Sequence, residues 1–170
     1  MTQSPSIRKS SAADIPLLWE MIQSLGAAKD AGYFEHCIER QDAGDLWLLI
    51  THEGAEPLGY GILNWMPKYG LYRKLGIPEV QDLNVLHAHR RRGIATHLIN
   101  YCEDQARGRG KDQMGIAVSV HGSFGPAQRL YFKLGYAPDG QGASYDRAAI
   151  DFASLKPVDD QLCMMLVKDL

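Results

Sequence analysis

Between Val80 and Ala106 the chain changes its apolar rhythm, and the change is made across a single glycine. Val80 to Leu86 reads as a strand, and from Ile94 onward Leu98, Tyr101, Cys102 and Ala106 recur at helical spacing. His87-Ala88-His89-Arg90-Arg91-Arg92-Gly93 is all that joins the two. A strand that passes so directly into an amphipathic helix calls for a layered α/β fold, with the helix burying its apolar stripe against a sheet.

The flanking sequence supplies the rest of that sheet. Ile7-Arg8-Lys9 is a short strand; Ile15, Leu18, Trp19 and Ile22 mark a helix that Gly26 stops. Tyr33 to Arg40 is a second helix. Leu46 to Ile50 and Leu58 to Trp65 form a hairpin about the turn Glu53-Gly54-Ala55-Glu56. Gly108 and Gly110 end the helix that follows the arginines. Met114 to Val120 is a strand, a helix runs from Pro126 to Leu134 and stops at Gly135, and Leu162 to Lys168 is a closing strand. The expected order is β-α-α-β-β-β-α-β-α-β, a mixed α/β sheet with helices packed on it. No repeat or linker divides the chain, so residues 1–170 are expected to form one domain.

Charge and cysteine content narrow the function. Lys plus Arg number 18 against 20 Asp plus Glu, a balance unlike that of a nucleic-acid-binding domain. The polar start Met1-Thr2-Gln3-Ser4-Pro5-Ser6 leads into no apolar signal region, and no apolar stretch approaches the roughly 20 residues that span a bilayer. A cytoplasmic protein with no membrane partner is the expectation. Cys37, Cys102 and Cys163 are odd in number and each lies in an apolar pattern, which fits buried reduced thiols.

The densest basic run, Arg90 to Arg92, sits where a strand meets a helix. The first N–H groups of a helix have no intrahelical acceptor and lie at the positive end of its dipole. Gly93 lets the backbone approach a ligand, Ala95 keeps the first turn slim, and Thr96 adds a hydroxyl. Arg90 and Arg92 bring delocalised charge suited to diphosphate oxygens. Three arginines on a solvated turn are the plainer alternative. There is no Gly-Lys-Ser/Thr, so an ATP-type phosphate loop is not indicated.

Val80-Gln81-Asp82-Leu83-Asn84-Val85 followed by Arg90-Arg91-Arg92-Gly93-Ile94-Ala95 closely resembles the central motif of the GCN5-related N-acetyltransferase (GNAT) superfamily. Ala127-Gln128-Arg129-Leu130-Tyr131-Phe132-Lys133-Leu134-Gly135-Tyr136 resembles that superfamily's second motif, at matching spacing. The resemblance covers nearly the whole chain. It implies transfer of an acetyl group from acetyl-CoA to the primary amine of a small molecule or peptide by direct attack. An acyl-CoA-binding regulatory module is the alternative. Coenzyme A would be held by Leu83, Val85, Arg90, Arg91, Arg92, Gly93, Ile94, Ala95 and Thr96, with Val85 meeting the pantetheine arm through its backbone. Two residues depart from the pattern: His87 stands where Pro is frequent, and Phe124 where Asn is frequent.

The same resemblance makes Tyr131 the acid for the departing thiolate, packing against the sheet being its alternative role. Glu79 becomes a candidate base, with Asp82 and a water chain as competitors and a solvated strand start as the plain reading. By the two-residue period Gln81, Leu83 and Val85 share the face of Glu79, and Asp82 takes the other. His87-x-His89 lacks a third ligand, so no metal is expected. Trp65, Tyr69 and Tyr72 with Lys68, Arg73 and Lys74 could suggest nucleic-acid stacking, but the resemblance implies that the loop from Met66 to Pro78 lines the acceptor side, an ordinary surface loop being the plain alternative. Dimers occur in the superfamily, which leaves a homodimer open. His52 and His121 show no legible role.

Overall fold

The structure is a computed structural model in which residues 5–170 are described; the first four residues of the polar N-terminal stretch lie outside it. Strands are β1 (Ser6–Lys9), β2 (Leu46–Glu53), β3 (Glu56–Asn64), β4 (Glu79–Val85), β5 (Gln113–Ser119), β6 (Ala137–Tyr145), β7 (Ala148–Ala149) and β8 (Leu162–Asp169). Helices are α1 (Ile15–Ser24), α2 (Tyr33–Asp42), α3 (Gly70–Leu75), α4 (Ile94–Gly108) and α5 (Gly125–Lys133). The strand order is β1-β2-β3-β4-β5-β8-β6-β7. The β4–β5 pair is parallel, whereas β1–β2, β2–β3, β5–β8, β8–β6 and β6–β7 are antiparallel. The mixed α/β class expected from the sequence is the class observed.

The chain makes two compact units, residues 1–65 with 81–102 and residues 66–80 with 103–170. In the first, β1, β2 and β3 pair in sequence, and α1 and α2 cover them. Leu18, Met21, Ile22, Phe34, Cys37, Leu48, Ile50 and Tyr60 are its buried core. Phe34 is the hub, with Trp19, Tyr33 and Tyr60 edge-on at 5.0, 5.2 and 5.5 Å between ring centres. Each such pair adds about 0.5–1.5 kcal/mol to the burial of its area.

In the second unit β5 pairs with β8 over its whole length, and Tyr69, Tyr72, Ile77, Cys163 and Met165 form the core. Tyr72 crosses β5 at Gly115 and donates its hydroxyl proton to the carbonyl of Leu166. A Cβ on Gly115 would overlap the Tyr72 ring. Gly115→Ala is therefore expected to destabilise the protein by about 1–3 kcal/mol, read as a lower urea midpoint at unchanged slope.

Three elements exceed the sequence reading. The stretch from Met66 to Pro78, expected as a loop, contains α3, which ends on Gly76 in a left-handed conformation (φ +69°). The hairpin β6–β7 was not expected at all. Its first strand, Ala-Pro-Asp-Gly-Gln-Gly-Ala-Ser-Tyr, has no apolar alternation, and its register with β8 shifts between Pro138 and Ala143. Edge pairing through backbone leaves little trace in side chains. The three cysteines are all buried and none is in a disulfide, as anticipated.

Candidate functional site

In the first unit, the turn between β4 and α4 is built by its own charges. Arg90 follows a single turn of 3-10 helix at His87–His89 and donates from Nε to the Val85 carbonyl at 3.2 Å. Arg91 and Gly93 then take left-handed backbone, φ +62° and +78°. The Gly93 carbonyl accepts from His97 N–H at 2.9 Å, the first bond of the helix. That leaves the N–H groups of Ile94, Ala95 and Thr96 as the open first turn. A Cβ on Gly93 would meet nothing within 4 Å, so backbone conformation rather than packing requires glycine there.

The three arginines divide their work. Arg92 binds Glu53 at 2.9 Å and His89 at 3.0 Å, and His89 in turn reaches Glu56 at 3.1 Å, which ties the turn to the β2–β3 hairpin. Arg91 is exposed and has no side-chain partner among the described residues. Arg91 and the terminal nitrogens of Arg90, more than Arg92, are thus the charge available to an anion. The sequence favoured Arg90 and Arg92 because nothing in it shows that Glu53 folds back onto Arg92.

Strand β4 also departs from simple alternation. Asp82 adopts φ +48°, so the two-residue period that grouped Gln81, Leu83 and Val85 with Glu79 does not run through it. The Asp82 carboxylate fixes this irregularity. Its Oδ1 accepts from Lys29 Nζ at 2.7 Å and Asn84 Nδ2 at 2.9 Å; its Oδ2 accepts from the hydroxyls of Tyr33 at 2.9 Å and Tyr60 at 3.0 Å. Burial, then the Asp82 charge, raises both phenols well above their usual range, and the same causes push the Cys37 thiol up to about 11. A carboxylate with four donors has its lone pairs filled. These four contacts make Asp82 a strut of β4.

In the second unit, Glu79 is fully buried, not solvated, and the reason is a residue the sequence reading did not pick out. Arg147 reaches Glu79 Oε1 from Nη2 at 2.9 Å and from Nε at 3.1 Å. Attraction and hydrogen bonding to Glu79 raise the Arg147 pKa, although burial, the largest single influence, works the other way. Arg147 sits in a turn that carried no motif, 68 positions along the chain from its partner. No sequence signal pointed to it.

Tyr131 lies in α5 with 7% of its surface exposed. Burial alone pushes its pKa up to about 12. Its ring is 6.4 Å from that of Tyr136, whose own hydroxyl donates to Glu103 at 2.9 Å. The Tyr131 hydroxyl, by contrast, makes no hydrogen bond among the described residues, and it is not one of the fully buried unpartnered polar atoms. His121, without a legible role in sequence, caps the turn before α5 by accepting from Ser123 N–H at 3.2 Å.

The family model described as the acetyltransferase (GNAT) family matches residues 15–136. The chain belongs to that family. It is accordingly an acyltransferase. Among solved structures, a ribosomal-protein-alanine N-acetyltransferase from Brucella melitensis is similar, with TM-score 0.70 and 16% identity over 97% of this chain and 99% of that one. A GNAT family acetyltransferase from Elizabethkingia anophelis with acetyl-CoA bound gives TM-score 0.66 and 14% identity over 98% of each chain. The paiA N-acetyltransferase from Thermoplasma acidophilum, in complex with coenzyme A, gives 0.64 and 16% over 99% of this GNAT chain and all of the other. At these identities the likeness is one of fold. No curated protein matches the chain. Among the described residues, no helix is long and apolar enough to cross a membrane, and no group of three or more His, Cys, Asp or Glu residues could hold a metal.

Proposed function

We propose that this GNAT chain works as one catalytic domain that moves the acetyl group of acetyl-CoA to a primary amine. The observation that carries the donor side is the turn before α4, where left-handed Arg91 and Gly93 precede the open first turn of a helix. Its N–H groups, Arg91 and Arg90 suit a diphosphate. Leu83 and Val85 would meet the pantetheine arm through backbone groups, and Ile94, Ala95 and Thr96 the diphosphate; Arg92 holds the turn in shape. Relatives of the same fold carry acetyl-CoA or coenzyme A, which supports this assignment.

In the reaction, the neutral amine forms a C–N bond to the acetyl carbon as the C–S bond breaks. The amine loses one proton and the departing thiolate gains one. Tyr131 is proposed to supply the latter, since its proton is held to about pH 12 and its hydroxyl is otherwise unengaged. Glu79 is proposed as the end of a water-borne path for the former; full burial prevents it from touching the amine itself. Kinetics checks this: Glu79→Gln should lower kcat while acetyl-CoA binding is kept, and an unchanged kcat would remove Glu79 from proton transfer.

Gly93→Ala places a side chain on left-handed backbone, at a strain of about 1–3 kcal/mol. Its expected result is weaker acetyl-CoA binding by calorimetry, with kcat at saturation nearly unchanged. The function as a whole is tested by incubating the protein with acetyl-CoA and a panel of amines and following free thiol. Release that depends on an amine supports it, and binding of acetyl-CoA with no release on any amine contradicts it.

A further inference from the structure

Arg147 stands where a side chain is least welcome. Tyr145 and Ala148 pair across the β6–β7 hairpin, so Asp146 and Arg147 are its two-residue turn, with φ +47° and +60°. Turns of this kind favour Asn and Gly, and left-handed backbone at other residues costs of order 1–3 kcal/mol each. The arginine is retained there with its guanidinium turned inward onto Glu79. Its Nε and Nη2 are committed to Glu79, while Nη1 has no partner among the described residues. Glu79 is inaccessible, whereas the Arg147 side chain keeps 24% of its exposure. The guanidinium therefore has one edge anchored in the protein and one edge available.

That available group lines a cavity of about 410 Å³, within the size range of small-molecule sites. Tyr69, Leu71, Gln141, Ala148 and Ala149 are among the other residues around it. The lining is otherwise uncharged: Tyr69 donates its hydroxyl to Asp139 at 2.7 Å, and neighbouring Asp146 is taken up by Lys68 at 2.7 Å. One guanidinium edge in an otherwise uncharged wall, its charge already shared with Glu79, suits a single carboxylate and is too little for a dianionic phosphate.

We propose that Arg147 reads the carboxylate of a small amino-acid acceptor in this cavity, with Glu79 as the positioning residue that holds its guanidinium. The proposal rests on the N-acetyltransferase reading for the accompanying amine. It names the acceptor class as amines that also carry a carboxylate, with side chains of modest apolar size.

The test compares common L-α-amino acids with their α-carboxamides and their decarboxylated amines. Binding to the coenzyme A-loaded protein is measured by calorimetry, and thiol release from acetyl-CoA is measured separately. Loss of one charge-assisted contact should weaken binding of the carboxamides and simple amines roughly ten- to hundred-fold. Arg147→Lys should lose most of that preference without moving the KM for acetyl-CoA. The double variant E79Q/R147Q, which leaves no buried charge unpaired, should lose it as well. Carboxylate-dependent binding with no thiol release would keep the Arg147 assignment and remove the acetyltransferase reading. Equal binding of amino acids and carboxamides, no binding of either, or a preference that survives in both variants would overturn the Arg147 assignment. Thiol release on simple amines would then leave the acetyltransferase reading standing.

Discussion

Tyr131→Phe is expected to lower kcat by roughly 10²–10⁴-fold, the usual contribution of a positioned general acid. The substitution removes one oxygen and nothing else. That oxygen makes no hydrogen bond within the described residues, so the variant loses no structural contact and should keep its stability to within about 0.5 kcal/mol. Acetyl-CoA binding should be nearly unchanged. The pH dependence adds a second check. The phenol is raised to about 12 by burial, so it stays largely protonated a unit or more below that value. Wild-type turnover should therefore show no downturn from Tyr131 ionisation up to about pH 11. Comparable kcat in the two forms, or a large loss of stability in Tyr131→Phe, would return Tyr131 to a packing role.

Arg147→Ala is expected to produce the largest loss of stability. It leaves the Glu79 carboxylate fully buried without its guanidinium, and removal of one partner of a buried pair costs about 3–5 kcal/mol. The lower end applies, because Arg147 itself is partly exposed. Urea unfolding should show it as a reduced midpoint. Converting both partners to neutral amides in E79Q/R147Q should recover most of the loss, since no charge is then stranded. A loss in the double variant equal to that in Arg147→Ala would mean that shape, and not charge, makes the Arg147 contribution.

Much of the fold was legible because its signals are local. The apolar runs Leu46–Ile50 and Met114–Val120, and the helical periods of α1, α4 and α5, each follow from neighbouring residues. Strand β6 was not legible. Its pairing with β8 is made by backbone groups, and its glycines and proline conceal the strand. The turn before α4 could be read in outline, because glycine before an amphipathic helix has a direct physical meaning. Which arginine points outward could not, since the answer depends on Glu53 from a distant hairpin. The Glu79–Arg147 pair and the four donors on Asp82 are of the same kind. They are long-range choices among charges, and sequence spacing carries no record of them. Where alternation failed, at Asp82, the failure marked a residue held in strained backbone by those contacts.

The claim that this chain is an N-acetyltransferase is tested most directly by stoichiometry. Acetyl-CoA and a turned-over amine are mixed with enzyme, and free thiol is counted against acetylated amine identified by mass spectrometry. One acetylated amine for each thiol released, with both rates falling together in Tyr131→Phe, is the result this account predicts. Thiol release without an acetylated amine, or bound acetyl-CoA left intact with every amine offered, would contradict it.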